Sequence, residues 1–356
     1  MKQKDSISKS LLWDITRRCN LNCTHCYNSG NIATVKILDI RNNYEIILDA
    51  IKNLDINHIH LLGGEPLLVN GLYELIEYAN FKEIHISINT NGTLLTTAVM
   101  ERLIELKVSQ ITVSLDGAVE QDNDLIRGDG IFNLVTENIK QANNIIKQNQ
   151  FNMTFQIATV ITRQNIQLIH KMPRTLKAIG VKYFDVLKLY ECGNASLNEK
   201  TLQVNLEEYI EALRKLLLES YRNEIFIQID CKPKVLELLG NRFGFKVGLD
   251  SDFNKCSAAK KILYMDCSGN IFPCGPIAHS IKDMALGDKL TVNIFDENFS
   301  ERISAFEGII QNNLHSNTSL CGICVDCRFA SKCSGCAICY NEYDKLCEVA
   351  CSLLSS

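Results

Sequence analysis

Residues 17–28 read RRCNLNCTHCYN, and they place Cys19, Cys23 and Cys26 in a C-x3-C-x2-C spacing directly after the β-rich run at residues 11–16. A strand that runs into a thiol-bearing loop is what a parallel α/β sheet offers where working groups collect at the C-terminal ends of its strands. Thiolates are soft ligands, and a tight loop can aim three of them at one iron–sulfur cluster. A closed structural metal site normally takes four ligands, so a set of three leaves one position open for a substrate or cofactor. A zinc loop that borrows His25 or a distant cysteine as its fourth ligand is the competing reading.

Outward from this stretch, short strands alternate with helical patterns to about residue 220. Residues 11–16, 58–62, 84–89, 110–115, 153–161 and 183–189 read as strands, and residues 71–80, 98–106, 132–147 and 206–219 as helices with apolar side chains near the 3.6-residue period. Right-handed βαβ crossovers joining six such strands curl a sheet into a partial (β/α)6 TIM-like barrel of the α/β class. Periodicity weakens after residue 230 as cysteines accumulate, so the domain boundary is expected near residue 222, with the barrel in 1–222 and a cysteine-rich iron–sulfur domain in 223–356.

Composition narrows the function. The 356 residues are 46% hydrophobic and 22% charged with a net charge of −4, an ordinary globular balance without broad attraction to nucleic acid or to an anionic membrane. No secretory h-region opens the chain and no apolar run approaches the ~18 residues of a membrane span, so a cytoplasmic location is expected. Sixteen cysteines in such a chain point to metal ligation rather than disulfides. Three lie by residue 26, Cys192 and Cys231 stand alone, and eleven fall between Cys256 and Cys351.

CNLNCTHCYN resembles the signature of the radical S-adenosylmethionine (SAM) superfamily, whose three cysteines hold a 4Fe–4S cluster. The resemblance implies that the open iron chelates SAM and donates an electron that cleaves it to methionine and a 5′-deoxyadenosyl radical, which abstracts hydrogen from substrate. It places His25 near the adenine. Gly63, Gly64 and Glu65, in LLGGEPLL, resemble the family's GGEP motif, with glycines for close backbone approach and a carboxylate for the SAM ammonium. By the same likeness Asn91, Ser114 and Asp116 lie around the ribose and carboxylate, Arg127 pairs with the carboxylate, and Asn165 and Leu187 lie near ribose and adenine. Local turn-forming or core-packing roles are the plainer readings of these residues.

In the last third, Cys256, Gly269 and Cys274 form C-x12-G-x4-C, and eight cysteines follow within the 31 residues from Cys321 to Cys351. This resembles the SPASM domain of radical SAM peptide-modifying enzymes, which holds two auxiliary 4Fe–4S clusters. By position Cys256, Cys274 and Cys336 serve one cluster, and Cys324, Cys327, Cys333 and Cys347 or Cys351 the other. Cys333 and Cys336 are separated by two residues where the pattern has three, and Cys267, Cys321 and Cys339 are surplus to it. A zinc ribbon is the alternative.

Three functional classes follow: a peptide maturase that crosslinks or oxidises a peptide or protein substrate, a radical dehydrogenase of a small alcohol or amino sugar (or a sulfatase-maturase-like oxidation of Cys or Ser), and a non-enzymatic metal-stapled binding protein. An electron donor such as flavodoxin or ferredoxin is expected. With the first strand starting by residue 11, a leader peptide is expected to be held elsewhere or by a separate protein. Cys192, after the sixth strand, is a candidate hydrogen-atom donor, against the plainer reading of a free packed thiol.

Overall fold

The computed structural model describes residues 9–29, 37–149, 151–190, 192–230, 233–243, 257–280 and 287–310. Cys231, Cys256, Cys321, Cys324, Cys327, Cys333, Cys336, Cys339, Cys347 and Cys351 lie outside the described residues. In chain order the barrel elements are β1 (Lys9–Thr16), α1 (Ile40–Lys52), β2 (Ile56–Gly63), α2 (Leu72–Phe81), β3 (His85–Thr90), α3 (Thr97–Glu105), β4 (Gln110–Ser114), α4 (Glu120–Arg127), α5 (Ile131–Asn149), β5 (Thr154–Val160), α6 (Met172–Ala178) and β6 (Tyr183–Leu187). There follow α7 (Asn194–Leu197), α8 (Glu199–Leu202), α9 (Leu206–Asn223), β7 (Phe226–Ile229), α10 (Pro233–Phe243), β8 (Ile262–Met265), β9 (Asn270–Phe272), α11 (Gly275–Ser280), β10 (Val292–Asn293) and α12 (Phe299–Ile310).

The ten strands among the described residues form one sheet in the order β10-β9-β8-β1-β2-β3-β4-β5-β6-β7. The run from β8 through β1 to β7 is parallel, and only β9 and β10 turn antiparallel. The six expected strands are therefore flanked by two further parallel ones. Both are four residues long, too short for periodicity to reveal. Residue 222 falls in the last turn of α9, and the sheet continues past it, because β7 pairs with β6 and β8 pairs with β1 from Ser10↔Ile262 to Trp13↔Met265.

The two faces of this sheet differ. Trp13, Ile59, Leu61, Ile88, Val113 and Val186 are buried in one continuous core that also takes the apolar stripes of the helices. The inner face carries His60, Asn89, Thr112, Gln156 and Asp185, where strands covered on both sides would read apolar throughout. No helix among the described residues is long and apolar enough to cross a membrane.

Candidate cofactor site at the C-terminal strand ends

The cysteine loop leaves β1 and is held from two sides. On one side the backbone N–H groups of Gly64 and Glu65 donate to the carbonyls of Thr16 and Arg18 at 2.7 and 2.8 Å. A Cβ on Gly64 would stand 2.1 Å from the Arg18 carbonyl oxygen, and one on Gly63, at φ +120°, 2.3 Å from that of Thr16. The close approach these glycines permit is thus to the chain's own cysteine loop. On the other side, the segment after β6 clamps the loop. Asn194 donates through its backbone N–H to the Cys26 carbonyl at 2.9 Å and through its amide to the Cys23 carbonyl and to Asn22, both at 2.9 Å. Asn198 donates to the Thr24 carbonyl at 3.1 Å. Gly193, at φ +59°, lies so near that a Cβ would meet the carbonyl oxygens of Tyr27, Cys26 and Ser29 at 2.6–2.8 Å.

Asp116 is the electrostatic centre of the site. It is fully buried and meets the Arg127 guanidinium at 2.7 Å, His25 Nε2 at 2.6 Å and the Val160 N–H at 2.8 Å. Burial alone would raise its pKa, but Arg127 and His25 together hold the carboxyl well below the usual carboxylate range. Arg127 is therefore a buried ion-pair partner. Asn165 commits both amide hydrogens to the carbonyls of Asp116 and Val160, at 2.8 Å each. Glu65, also fully buried, accepts from Leu67 N–H, Thr90 Oγ1 and Asn91 N–H, tying the end of β2 to the end of β3. Burial raises its pKa against those three donors.

Asn91 and Arg127 reach the thiols. Asn91 Nδ2 lies 3.6 Å from Cys19 Sγ, and Arg127 Nη1 4.0 Å from Cys23 Sγ. Burial pushes the Cys23 thiol up to about 11, with Arg127 opposing, and also raises Cys26, while Cys19 is exposed. Ser114 is half-buried at the end of β4, Leu187 is exposed at the end of β6, and Cys192 is half-buried beside the Gly193 clamp. The structure thus gathers Cys19, Cys23, Cys26, His25, Glu65, Asn91, Asp116, Arg127 and Asn165 around one loop.

Sequence reasoning missed the clamp, because Asn194 and Asn198 sit in a polar stretch whose composition says only that it is a loop. It also missed Asp14. That buried carboxylate accepts from Tyr27 at 2.9 Å and from Tyr264 of β8 at 2.5 Å, and the ring of His279 meets both tyrosines edge-on at 5.1 and 5.6 Å. Cys267 is buried two residues beyond β8, and Cys274 is half-buried just before α11. A hollow lined by Ile84, His85, Val108 and Met153 lies at the other end of the strands, away from this chemistry.

The residues fit a cluster and its ligand. Among the described residues no three Cys, His, Asp or Glu side chains converge on a single ion. A cluster asks for less convergence, since each thiolate binds its own iron. Arg127 Nε and both polar atoms of Asn28 are buried without a hydrogen-bond partner. Orphaned groups beside the thiols are what a polar ligand would satisfy.

Comparison with known proteins agrees. A family profile described as the Radical SAM superfamily matches residues 13–176. The chain is 24% identical over 335 residues to the AdoMet-dependent heme synthase of Methanosarcina barkeri, covering 92% of this chain and 90% of that protein. It is 23% identical over 331 residues to the mycofactocin maturase MftC of Mycolicibacterium smegmatis, covering 91% and 76%. With an uncharacterized protein of Methanocaldococcus jannaschii it shares 33% identity over 216 residues, 58% of this chain and 71% of that one. Among solved structures, Streptococcus suis SuiB bound to its precursor peptide SuiA has the same fold, with a TM-score of 0.69 at 18% identity over 93% of this chain and 72% of that one.

Proposed function

Since the chain belongs to the radical SAM superfamily, we propose that it reductively cleaves SAM and uses the 5′-deoxyadenosyl radical to take a hydrogen atom from a peptide substrate. The observation that carries this reading is the loop with Cys19, Cys23 and Cys26, pinned between residues 63–65 and 193–198 at the strand ends of a sheet whose inner face is polar. A 4Fe–4S cluster bound there supplies a single electron and one iron open to the SAM amino and carboxylate groups. The protein's part is positioning. Glu65 has three of its roughly four lone-pair sites filled, leaving one on Oε2 for an N–H of the SAM amino group. Arg127, already paired to Asp116, keeps Nε for the SAM carboxylate. Asn91 and Arg127 offer N–H donors to the Cys19 and Cys23 sulfurs, and His25 and the exposed Leu187 flank the space for the adenine.

A peptide substrate is supported by the likeness to the mycofactocin maturase and to SuiB in complex with SuiA. The near full-length match to a heme synthase favours a second reading, radical chemistry on a small molecule. In either case residues 223–356 act as a bridge and SPASM-type domain for two auxiliary clusters, with Cys256, Cys274 and the late cysteines supplying ligands. A flavodoxin or ferredoxin supplies electrons. The test is iron and sulfide content after anaerobic reconstitution, with dithionite-driven 5′-deoxyadenosine formation in wild type and in Cys19→Ala/Cys23→Ala/Cys26→Ala. About twelve irons per chain and cleavage lost in the triple variant support the proposal. Zinc in place of iron, or no cleavage by loaded wild type, defeats it. Stimulation of cleavage by a short peptide encoded beside the gene would favour the first reading over the second.

A further inference from the structure

One pleat beneath the strand ends, roughly 7 Å below Ser114 and Leu187, the inner face of β4, β5 and β6 carries Thr112, Gln156 and Asp185. Parallel register sets them in a row, with Thr112 opposite Gln156 and Asp185 opposite Ala158. Gln156 Nε2 donates to Thr112 Oγ1 at 3.0 Å and to Asp185 Oδ2 at 2.8 Å. A carboxylate only accepts, so the amide nitrogen must face Asp185, and both of its hydrogens are then spent. Gln110 Nε2 donates to the same threonine hydroxyl at 3.1 Å. These groups leave acceptors at Gln156 Oε1, Gln110 Oε1 and the second oxygen of Asp185, beside two donors, the Thr112 hydroxyl proton and one Gln110 N–H.

Asp185 itself lacks a counter-charge. Among the described residues no Lys, Arg or His lies within ion-pair distance of it, and burial raises its pKa with only the Gln156 bond opposing. Inward positions of a parallel barrel are normally filled by bulky branched side chains, and a half-buried carboxylate there is costly unless something pairs with it. We propose that this row on the inner face receives a substrate side chain, and that Asp185 recognises its ammonium or guanidinium group, so that the enzyme selects a basic residue at or beside the position it modifies. The inference rests on the reading of the chain as a radical enzyme acting on peptides.

The test uses the reconstituted holoenzyme with SAM and five labelled peptides of the form Gly-Gly-X-Gly-Gly, X being Lys, Arg, Gln, Leu or Glu, with binding followed by fluorescence anisotropy and 5′-deoxyadenosine by chromatography. Wild type should bind the Lys and Arg peptides about tenfold more tightly than the Gln peptide. Asp185→Asn should erase that margin, and Asp185→Lys should turn the preference toward Glu. The same ranking in wild type and Asp185→Asn, or no binding of any of the five, overturns the proposal. Iron content and circular dichroism check the fold; should Asp185→Lys not fold, the near-isosteric Asp185→Asn decides alone. Failure of wild type to cleave SAM would defeat the radical function instead, because the binding preference is read separately.

Discussion

Asp14 and Asp116 are buried to the same degree, yet their surroundings push them in opposite directions. Burial lifts Asp14 to about 6, and the hydroxyls of Tyr264 and Tyr27 offset that only in part. A carboxyl whose pKa is higher folded than unfolded contributes stability below its unfolded value, near 4, and loses it as pH rises through the folded value. Stability should therefore fall by about 2 kcal/mol between pH 4 and pH 7 on account of this group, and Asp14→Asn should flatten that slope in melts across the range. Asp116 has the reverse sign: its contribution is present above about pH 4 and disappears as pH falls below. Asp116→Asn leaves the buried Arg127 without its countercharge and should cost about 3–5 kcal/mol in urea titrations at neutral pH. Asp116 was singled out in the sequence by the family likeness of its strand-end motif, VSLDGA, which gave no sign of its ion pair with Arg127. Asp14 was not, since nothing in LLWDIT announces a tyrosine 250 residues away.

At the scale of elements, the cysteine loop has little regular structure of its own and borrows its shape from two neighbours. Gly193→Ala should push the clamp off the loop while leaving the strands intact, so iron should be stripped by a chelator several times faster with little change in far-ultraviolet dichroism. Asn194→Ala, which removes two side-chain hydrogen bonds worth about 1 kcal/mol each, should act in the same direction but less. Full retention of iron by both variants would show that the first contact, through Gly64, suffices. The six principal strands and four of the helices were readable because each is long enough to show its period. Helix α4 (EQDNDLIR) was not, because it buries Asn123 and Arg127 along with Ile126 and so lacks an apolar stripe. Strands β7 and β8 were missed for their length, and the clamp because hydrogen bonds between distant loops leave no periodic trace.

Across the whole molecule, β1 stands inside the sheet with partners on both edges. Its amides should be among the slowest to exchange with deuterium, and those of β7 and β10 at the sheet edges among the fastest. Tyr264→Phe, which cuts one of the two bonds to Asp14, should speed exchange in β8 and β9 while leaving β3 to β5 as they were. Protection of β8 unchanged in that variant would mean that strand pairing alone docks the C-terminal segment.

The two-sided grip on the cysteine loop also imposes a schedule on biosynthesis. Residues 63–65 leave the ribosome soon after the thiols do, but residues 193–198 follow about 130 residues later, which at 5–20 residues per second is roughly 6–26 s. For that interval the nascent chain carries three thiols braced on one side only, open to an iron–sulfur delivery system and to oxidants alike. Arrested chains of about 170 and 260 residues, probed with a thiol-alkylating reagent, should differ accordingly: the shorter should be labelled readily at Cys23 and the longer protected.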